Sequence, residues 1–326
     1  MRILIVKTSS LGDVIHMLPA VTDAMQAVPG IEIDWVVEEA FARIPAWHPA
    51  VRRVIPVALR RWRTRWWSPA SWGGLLGARR AIRAQEYDFV VDAQGLYKSA
   101  LWTRWARGVR CGHDSTTARE PGATRFYQRR FPVPTELHAI QRNRVLLAAV
   151  LAYPIHDVRP DYGLGALAER LGDPGLVLPE NYVLALHGTS RVEKEWPVES
   201  WMHLARVMAG QGRPLVLPWG SEDERSRAEA IAAAAPGTVV LPRLDLDGLA
   251  LVTTRALAVI GVDTGLMHLA AALGKPGLAL YPATQPQLTG VVPDRHSRRA
   301  LINLDKPEHL APDVVAGGLL ALLETL

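Results

Sequence analysis

Three short clusters hold the residues best suited to chemistry. The first is Ser9-Ser10-Leu11-Gly12-Asp13-Val14, directly after the apolar run Ile3-Leu4-Ile5-Val6. A buried strand ending in small residues, a glycine and a lone carboxylate is an α/β pattern in which strand-end loops carry ligands. The glycine permits a tight turn and close approach of a ligand. Asp13 stands where a single general base could take a proton from a bound nucleophile; it is equally placed to cap the helix that follows. The second cluster is Gly261-Val262-Asp263-Thr264-Gly265-Leu266-Met267-His268, where a strand gives way to a helix near Gly265. Backbone N–H groups and the positive dipole end there suit an anion, most naturally a diphosphate. Thr264 adds a hydroxyl donor and Gly265 lets phosphate close on the backbone, while a simple cap by Asp263 or Thr264 would compete for the same amides. The third, His187-Gly188-Thr189-Ser190-Arg191-Val192-Glu193-Lys194-Glu195-Trp196-Pro197, follows another strand. Thr189 and Ser190 offer hydroxyls, and Lys194 is a compact charge for a phosphate or for solvent. No nucleophile is paired with His187, which reads as a hydrogen-bonded structural residue.

Ser221-Glu222-Asp223-Glu224 has the spacing of a capping box. Glu224 therefore either serves the helix start or, lying after a strand end, grips a ribose hydroxyl. Asp245-Leu246-Asp247 has the form of an acidic pair for a divalent cation. It stands immediately before a helix at Gly248, however, and reads as the start of that helix. No His/Cys/Asp set has zinc spacing, so no metal is expected. A glycine fingerprint after the first strand of either half is also missing, which argues against a nicotinamide oxidoreductase.

The elements that must position these clusters alternate between strand and helix. Strands are expected at 2–6, 34–37 and 89–92. Val14, Leu18, Val21 and Met25 recur at helical spacing, with Pro19 at a first turn or a kink. The pattern restarts in the second half, with strands at 182–186, 214–217, 239–241, 257–261 and 278–281 and helices at 201–210, 221–235, 248–255 and 265–273. Linker-like stretches fall at 153–161 and 172–180. Alternating strands and helices imply parallel sheets, and 326 residues exceed the usual single core. The expected architecture is α/β, two Rossmann-like domains (1–163 and 164–326) facing each other across a cleft.

The net charge of +5 hides an asymmetry. Residues 1–160 hold 23 Lys/Arg against 13 Asp/Glu, whereas residues 161–326 hold 14 against 19. The excess concentrates in 51–150, with 19 basic and 6 acidic residues, so the first half is suited to an anionic partner. Within it, Arg60-Arg61-Trp62-Arg63-Thr64-Arg65-Trp66-Trp67 interleaves guanidinium and indole groups. Arginine clamps phosphate or carboxylate and tryptophan favours membrane interfaces, which points to an anionic amphiphile or membrane surface. No nucleic-acid motif accompanies the patch. The single cysteine, Cys111, excludes a disulfide framework and fits a reducing cytosol. No apolar run approaches a bilayer span and no secretory signal is visible, so a soluble or at most peripheral chain is expected.

Together, Met1-Arg2-Ile3-Leu4-Ile5-Val6-Lys7-Thr8-Ser9-Ser10-Leu11-Gly12-Asp13-Val14, Asp34-Trp35-Val36-Val37-Glu38-Glu39, Asp92-Ala93-Gln94-Gly95-Leu96-Tyr97-Lys98-Ser99, Thr117-Ala118-Arg119-Glu120-Pro121, Leu217-Pro218-Trp219-Gly220 and Val262-Asp263-Thr264-Gly265 resemble the lipopolysaccharide heptosyltransferases of glycosyltransferase family 9. The resemblance runs over essentially the whole chain. It implies a GT-B fold and inverting, metal-independent transfer of heptose from ADP-L-glycero-β-D-manno-heptose to the first Kdo of Kdo-lipid A, with no cofactor. A second enzyme of the family, acting on a heptosylated acceptor, is the alternative; a non-catalytic anionic-lipid binder is a further one. By resemblance Asp13 is the general base. Donor contacts fall on Thr189, Ser190, Lys194, Glu224, Leu244, Asp263, Thr264, Gly265 and His268, with Lys194 also stabilising the leaving group. Ser190 and Leu244 replace the family's usual Thr and Met. Acceptor contacts fall on Ser10, Gly12, Arg60, Arg61, Arg63, Gln94, Lys98 and Arg119. The same resemblance implies a peripheral position on the cytoplasmic face of the inner membrane.

Overall fold

The computed structural model describes residues 1–64, 67–156, 158–172 and 175–326, and within the helix Leu59–Thr64 it leaves out the side chains of Arg60 and Arg63. The chain divides into two compact units, Met1–Gly163 and Leu164–Leu326.

In the first unit six parallel strands, β1 (Arg2–Val6), β2 (Glu32–Glu38), β3 (Val51–Val57), β4 (Glu86–Asp92), β5 (Arg107–His113) and β6 (Arg129–Phe131), form one sheet in the order β3-β2-β1-β4-β5-β6. Ile3 to Val6 are wholly buried because β1 lies at the centre of a sheet covered on both faces. The helical pattern after β1 is two helices, Leu11–Ile15 and Leu18–Ala27. Pro19 sits in the first turn of the second, where its missing N–H costs nothing. Met25, expected on the inner face, is 37% exposed.

The second unit repeats the plan. Strands β7 (Val183–Leu186), β8 (Leu215–Leu217), β9 (Val239–Val240), β10 (Ala258–Val262), β11 (Gly277–Leu280) and β12 (Leu301–Leu304) are parallel in the order β12-β11-β10-β7-β8-β9. Asp245 caps the helix Leu246–Arg255 by accepting the Gly248 N–H at 2.9 Å. That helix begins two residues earlier than the spacing suggested.

Both sheets are doubly wound, so each has one point where the chain leaves in opposite directions from neighbouring strands. That point lies between β1 and β4 in the first unit and between β7 and β10 in the second. Ligands of open α/β sheets bind beyond the strand ends at this switch point, and all three clusters singled out by residue type follow β1, β7 or β10.

Candidate active site

In the first unit the β1 loop is tied down before any ligand enters. Gln94, just after β4, uses its Oε1 to accept the Thr8 N–H at 2.8 Å, the Thr8 hydroxyl at 2.9 Å and the Ser9 N–H at 3.3 Å; its amide NH₂ donates to the Ser9 carbonyl. Gln94 is 3% exposed. Gln94 is thus an anchor of the loop, and it also lines the small hollow beside Arg119 and Arg142. Asp92 fixes the β4 side: its buried carboxylate accepts the Gln94 and Gly95 N–H groups, the Ser99 hydroxyl and the Tyr127 hydroxyl at 2.6 Å.

On this frame Asp13 takes the capping role that the sequence offered and is paired as well. Its Oδ2 accepts the Ser10 N–H at 2.9 Å, closing the start of the short helix Leu11–Ile15, and its Oδ1 accepts from Arg119 Nη2 at 2.8 Å. Gly12 is buried inside that helix. Burial pushes the Asp13 carboxyl up, but the charges of Lys7 and Arg119 and the Ser10 N–H outweigh it and hold the group well below the usual carboxylate range. Gly95 adopts φ +69 beside this pair, and a Cβ there would lie 3.3 Å from the Arg119 backbone nitrogen.

Sequence reasoning missed what stands behind Asp13. Lys7 is buried, its Nζ donating to the Ala93 carbonyl at 2.8 Å, and burial lowers its pKa to about 8. A small polar hollow brings Lys7 together with His113, Arg119 and Arg142. His113 Nδ1 and Arg142 Nε have no hydrogen-bond partner among the described residues. Burial drops the His113 pKa to about 3, so it is neutral. Four ionisable residues spread from position 7 to position 142 carry no shared local pattern, and only the sheet order assembles them.

Beside the same loop, Thr8, Ser9, Glu38, Trp62, Leu75 and Lys98 line an open cavity of about 410 Å³. Lys98 Nζ lies 3.4 Å from Ser9 Oγ. Of the arginine run, Arg61 pairs with Glu39 at 2.9 Å, with both side chains largely exposed. The side chains of Arg60 and Arg63, and residues 65 and 66, lie outside the described residues. Part of the basic excess is paired within the unit: Arg52 and Arg53, themselves part-exposed, hold the fully buried Asp34, and the buried Arg144 holds Asp23 at 2.6 Å. What remains outward is mixed with apolar surface, since Trp67, Trp72 and Leu76 are 68%, 55% and 53% exposed.

In the second unit the residues after β7, β10 and β11 converge. Lys194 Nζ donates to Asp263 Oδ2 at 2.6 Å, and the Thr284 hydroxyl donates to the same oxygen at 2.7 Å. Thr189 Oγ1 donates to the Asp263 carbonyl at 3.1 Å. Lys194 is thus no solvated loop lysine but half of a largely buried ion pair. Thr284 had no motif to announce it. Thr264 occupies the cap position of the helix Gly265–Ala272, yet its side chain makes no capping bond. Gly261 lets this helix lie close, because a Cβ there would meet Leu186 Cβ at 2.7 Å and Met267 Sδ at 2.8 Å. Ser190 is exposed, His268 is buried within the helix, and Leu244 packs at the edge of the core.

Glu224 also does two things. Ser221 caps its helix by accepting the Glu224 N–H at 3.2 Å, and Glu224 Oε2 accepts the Gly220 N–H at 2.7 Å. Its Oε1 lies against Gly188, where a Cβ would come within 2.5 Å. His187 is structural, its Nε2 3.1 Å from the Pro218 carbonyl, with burial lowering its pKa to about 4. Among the described residues no group of three or more His, Cys, Asp or Glu could hold a metal ion.

The family model described as glycosyltransferase family 9 (heptosyltransferase) matches residues 76–315. Lipopolysaccharide heptosyltransferase 1 of Pseudomonas aeruginosa is 51% identical over 291 residues, covering 89% of this chain and 81% of that protein. The protein of that name from Escherichia coli K12 is 47% identical over 313 residues, covering 94% and 97%. Among solved structures, E. coli heptosyltransferase WaaC with ADP matches at a TM-score of 0.90 and 43% identity, over 100% of this chain and 99% of that one. E. coli heptosyltransferase II shares the fold at a TM-score of 0.77 with 20% identity, again over 100% and 99%. With a family model matching most of its length and relatives near half identity almost end to end, the chain belongs to glycosyltransferase family 9, the heptosyltransferases.

Proposed function

We propose that the chain transfers heptose from ADP-L-glycero-β-D-manno-heptose to the first Kdo of Kdo-lipid A in lipopolysaccharide core synthesis, with inversion and without a metal or cofactor. The observation that carries this reading is the near end-to-end similarity to lipopolysaccharide heptosyltransferase 1 of two organisms. Structures of the E. coli relative with ADP and with ADP-2-deoxy-2-fluoro heptose support the same donor here.

In this reading Asp13 accepts the proton of the acceptor hydroxyl while that oxygen bonds the anomeric carbon and the bond to the ADP oxygen breaks. Its depressed pKa keeps it ionised at neutral pH but makes it a weak base, so proton transfer belongs late in the step. An acceptor carboxylate or phosphate drawing Arg119 to itself leaves Asp13 more basic at the moment it is needed. Lys7, Arg142 and Lys98 stand ready for the acceptor's remaining negative charge. The diphosphate takes the uncapped amides at Thr264–Gly265 and competes with Asp263 for Lys194, which offsets the charge developing on the leaving oxygen. Glu224 serves the ribose side. The exposed tryptophans and outward arginines of the first unit suit an anionic membrane surface, and no described helix is long and apolar enough to cross one. Peripheral binding to the cytoplasmic face of the inner membrane follows.

ADP release from ADP-heptose, compared with Kdo-lipid A, with heptosylated core and with no acceptor, tests the reading. Release driven by Kdo-lipid A is expected. Release driven only by the heptosylated acceptor would move the chain to the second enzyme's role.

A further inference from the structure

The second unit carries a cavity of about 480 Å³ at the end of its sheet opposite the Asp263 loop. Thr254, ahead of β10, and Lys275, two residues before β11, stand on its wall, whereas the ligand loops leave from the other ends of the same strands. The helix Gly265–Ala272 finishes there, closed by Gly274 at φ +67 and by the Lys275 N–H donating to the Ala270 carbonyl at 3.0 Å.

One wall is cationic. Lys275 Nζ donates to the Thr254 carbonyl at 3.2 Å, and Arg298 and Arg299 flank it from the segment before β12. Among the described residues no ion pair reaches Lys275, Arg298 or Arg299. Asp294 also lines the cavity, but its carboxylate accepts the His296 N–H at 2.8 Å. Burial and the neighbouring Arg299 charge both lower the Lys275 pKa, and no carboxylate counteracts them. Leu164, Ala168 and Pro276 give the lining an apolar part.

A half-buried amine beside two guanidinium groups, open to a space of ligand size, is stabilised by an anion with several acceptor oxygens. We propose that this cavity binds a phosphate ester whose organic part lies on the apolar part of the lining. The inference is independent of how the Asp263 loop is read.

Isothermal titration of glycerol 3-phosphate and of inorganic phosphate into protein saturated with ADP tests it, beside sedimentation with phosphatidylglycerol vesicles. Arg298→Glu with Arg299→Glu, both at exposed positions, Lys275→Gln and the charge-keeping Lys275→Arg are compared with the parent. Arg206→Glu, exposed on the helix Val198–Gly210, controls for general charge. One equivalent of glycerol 3-phosphate is expected to bind, more tightly than inorganic phosphate. The double variant and Lys275→Gln should lose about tenfold or more, while Lys275→Arg and Arg206→Glu retain binding, with thermal midpoints and ADP affinity unchanged. Site-dependent binding confined to vesicles supports the same phosphate chemistry with a lipid headgroup as its source. Absence of saturable binding in both arms, or equal binding by the parent and both charge-removing variants, overturns the proposal.

Discussion

Lys7 and Asp13 are neighbours whose titrations run in opposite senses. Asp13 has a folded pKa below its ordinary value of 3.8. Its contribution to stability is therefore complete above that value and is lost as pH falls through the folded one. Lys7 has a folded pKa of about 8 against an ordinary 10.5. Its buried charge costs stability at every pH below about 8. As pH rises from 8 towards 10.5 the folded state sheds the proton first and stability rises, by up to about 1.4 kcal/mol per pH unit. Urea unfolding of the parent and of Lys7→Met across this window should show that rise in the parent and its loss in the variant; equal slopes would contradict the assignment. Gly188→Ala sets a Cβ within 2.5 Å of Glu224 Oε1. The carboxylate must move, and weaker ADP binding with little change in the melting temperature is expected by calorimetry. At this scale Asp13, Asp263 and Lys194 were legible as candidates because each stands in a loop directly after an apolar strand, although capping or solvation could also account for them. Thr284 and Arg142 were not, since a threonine or an arginine in an irregular segment acquires meaning only from what the fold brings beside it.

Among the elements, the central strands announced themselves, whereas of the outer ones β9 was legible and β3, β5, β6 and β12 were not. Ile3-Leu4-Ile5-Val6 and the segment of β10 are continuous apolar runs because they are covered on both faces. In β3, β5 and β6 the runs Val51-Arg52-Arg53-Val54, Arg107-Gly108-Val109-Arg110 and Arg129-Arg130-Phe131 are broken by charge, since towards the sheet edge arginine stems lie on the surface. β12 is likewise half-exposed. The strands that flank the switch points could therefore be read from the sequence, while their order and the full sheets could not. Close strand packing also makes a test: a Cβ at Gly277 would lie 1.8 Å from the Val259 carbonyl oxygen. Gly277→Ala must part β10 from β11, at a cost of about 3 kcal/mol or more. Chemical denaturation should reveal it, and a parent-like midpoint would mean the two strands are less tightly joined.

For the molecule as a whole, charge and the metal question are the properties open to test. The positive half meets a lipid-borne anion in the proposed function, and exposed charges are screened over about 8 Å at physiological salt. Replacing Arg60, Arg61 and Arg63 with Ala should raise the apparent KM for Kdo-lipid A, flatten its dependence on ionic strength and leave donor affinity alone. A shift in donor affinity with an unchanged acceptor KM would reassign the run to the other ligand. EDTA should leave the rate unaltered, because Asp245 is occupied in capping its helix; inhibition reversed by magnesium would point to a metal requirement. The central claim, that Asp13 is the base of a direct displacement, is tested most directly by pairing ADP release with ADP-heptose affinity in Asp13→Asn. Asparagine keeps the size of Asp13 and one acceptor oxygen but cannot take the acceptor's proton. Turnover should fall about 10²–10⁴-fold with donor affinity nearly unchanged, whereas turnover within about twofold of the parent, far short of that range, would contradict the claim.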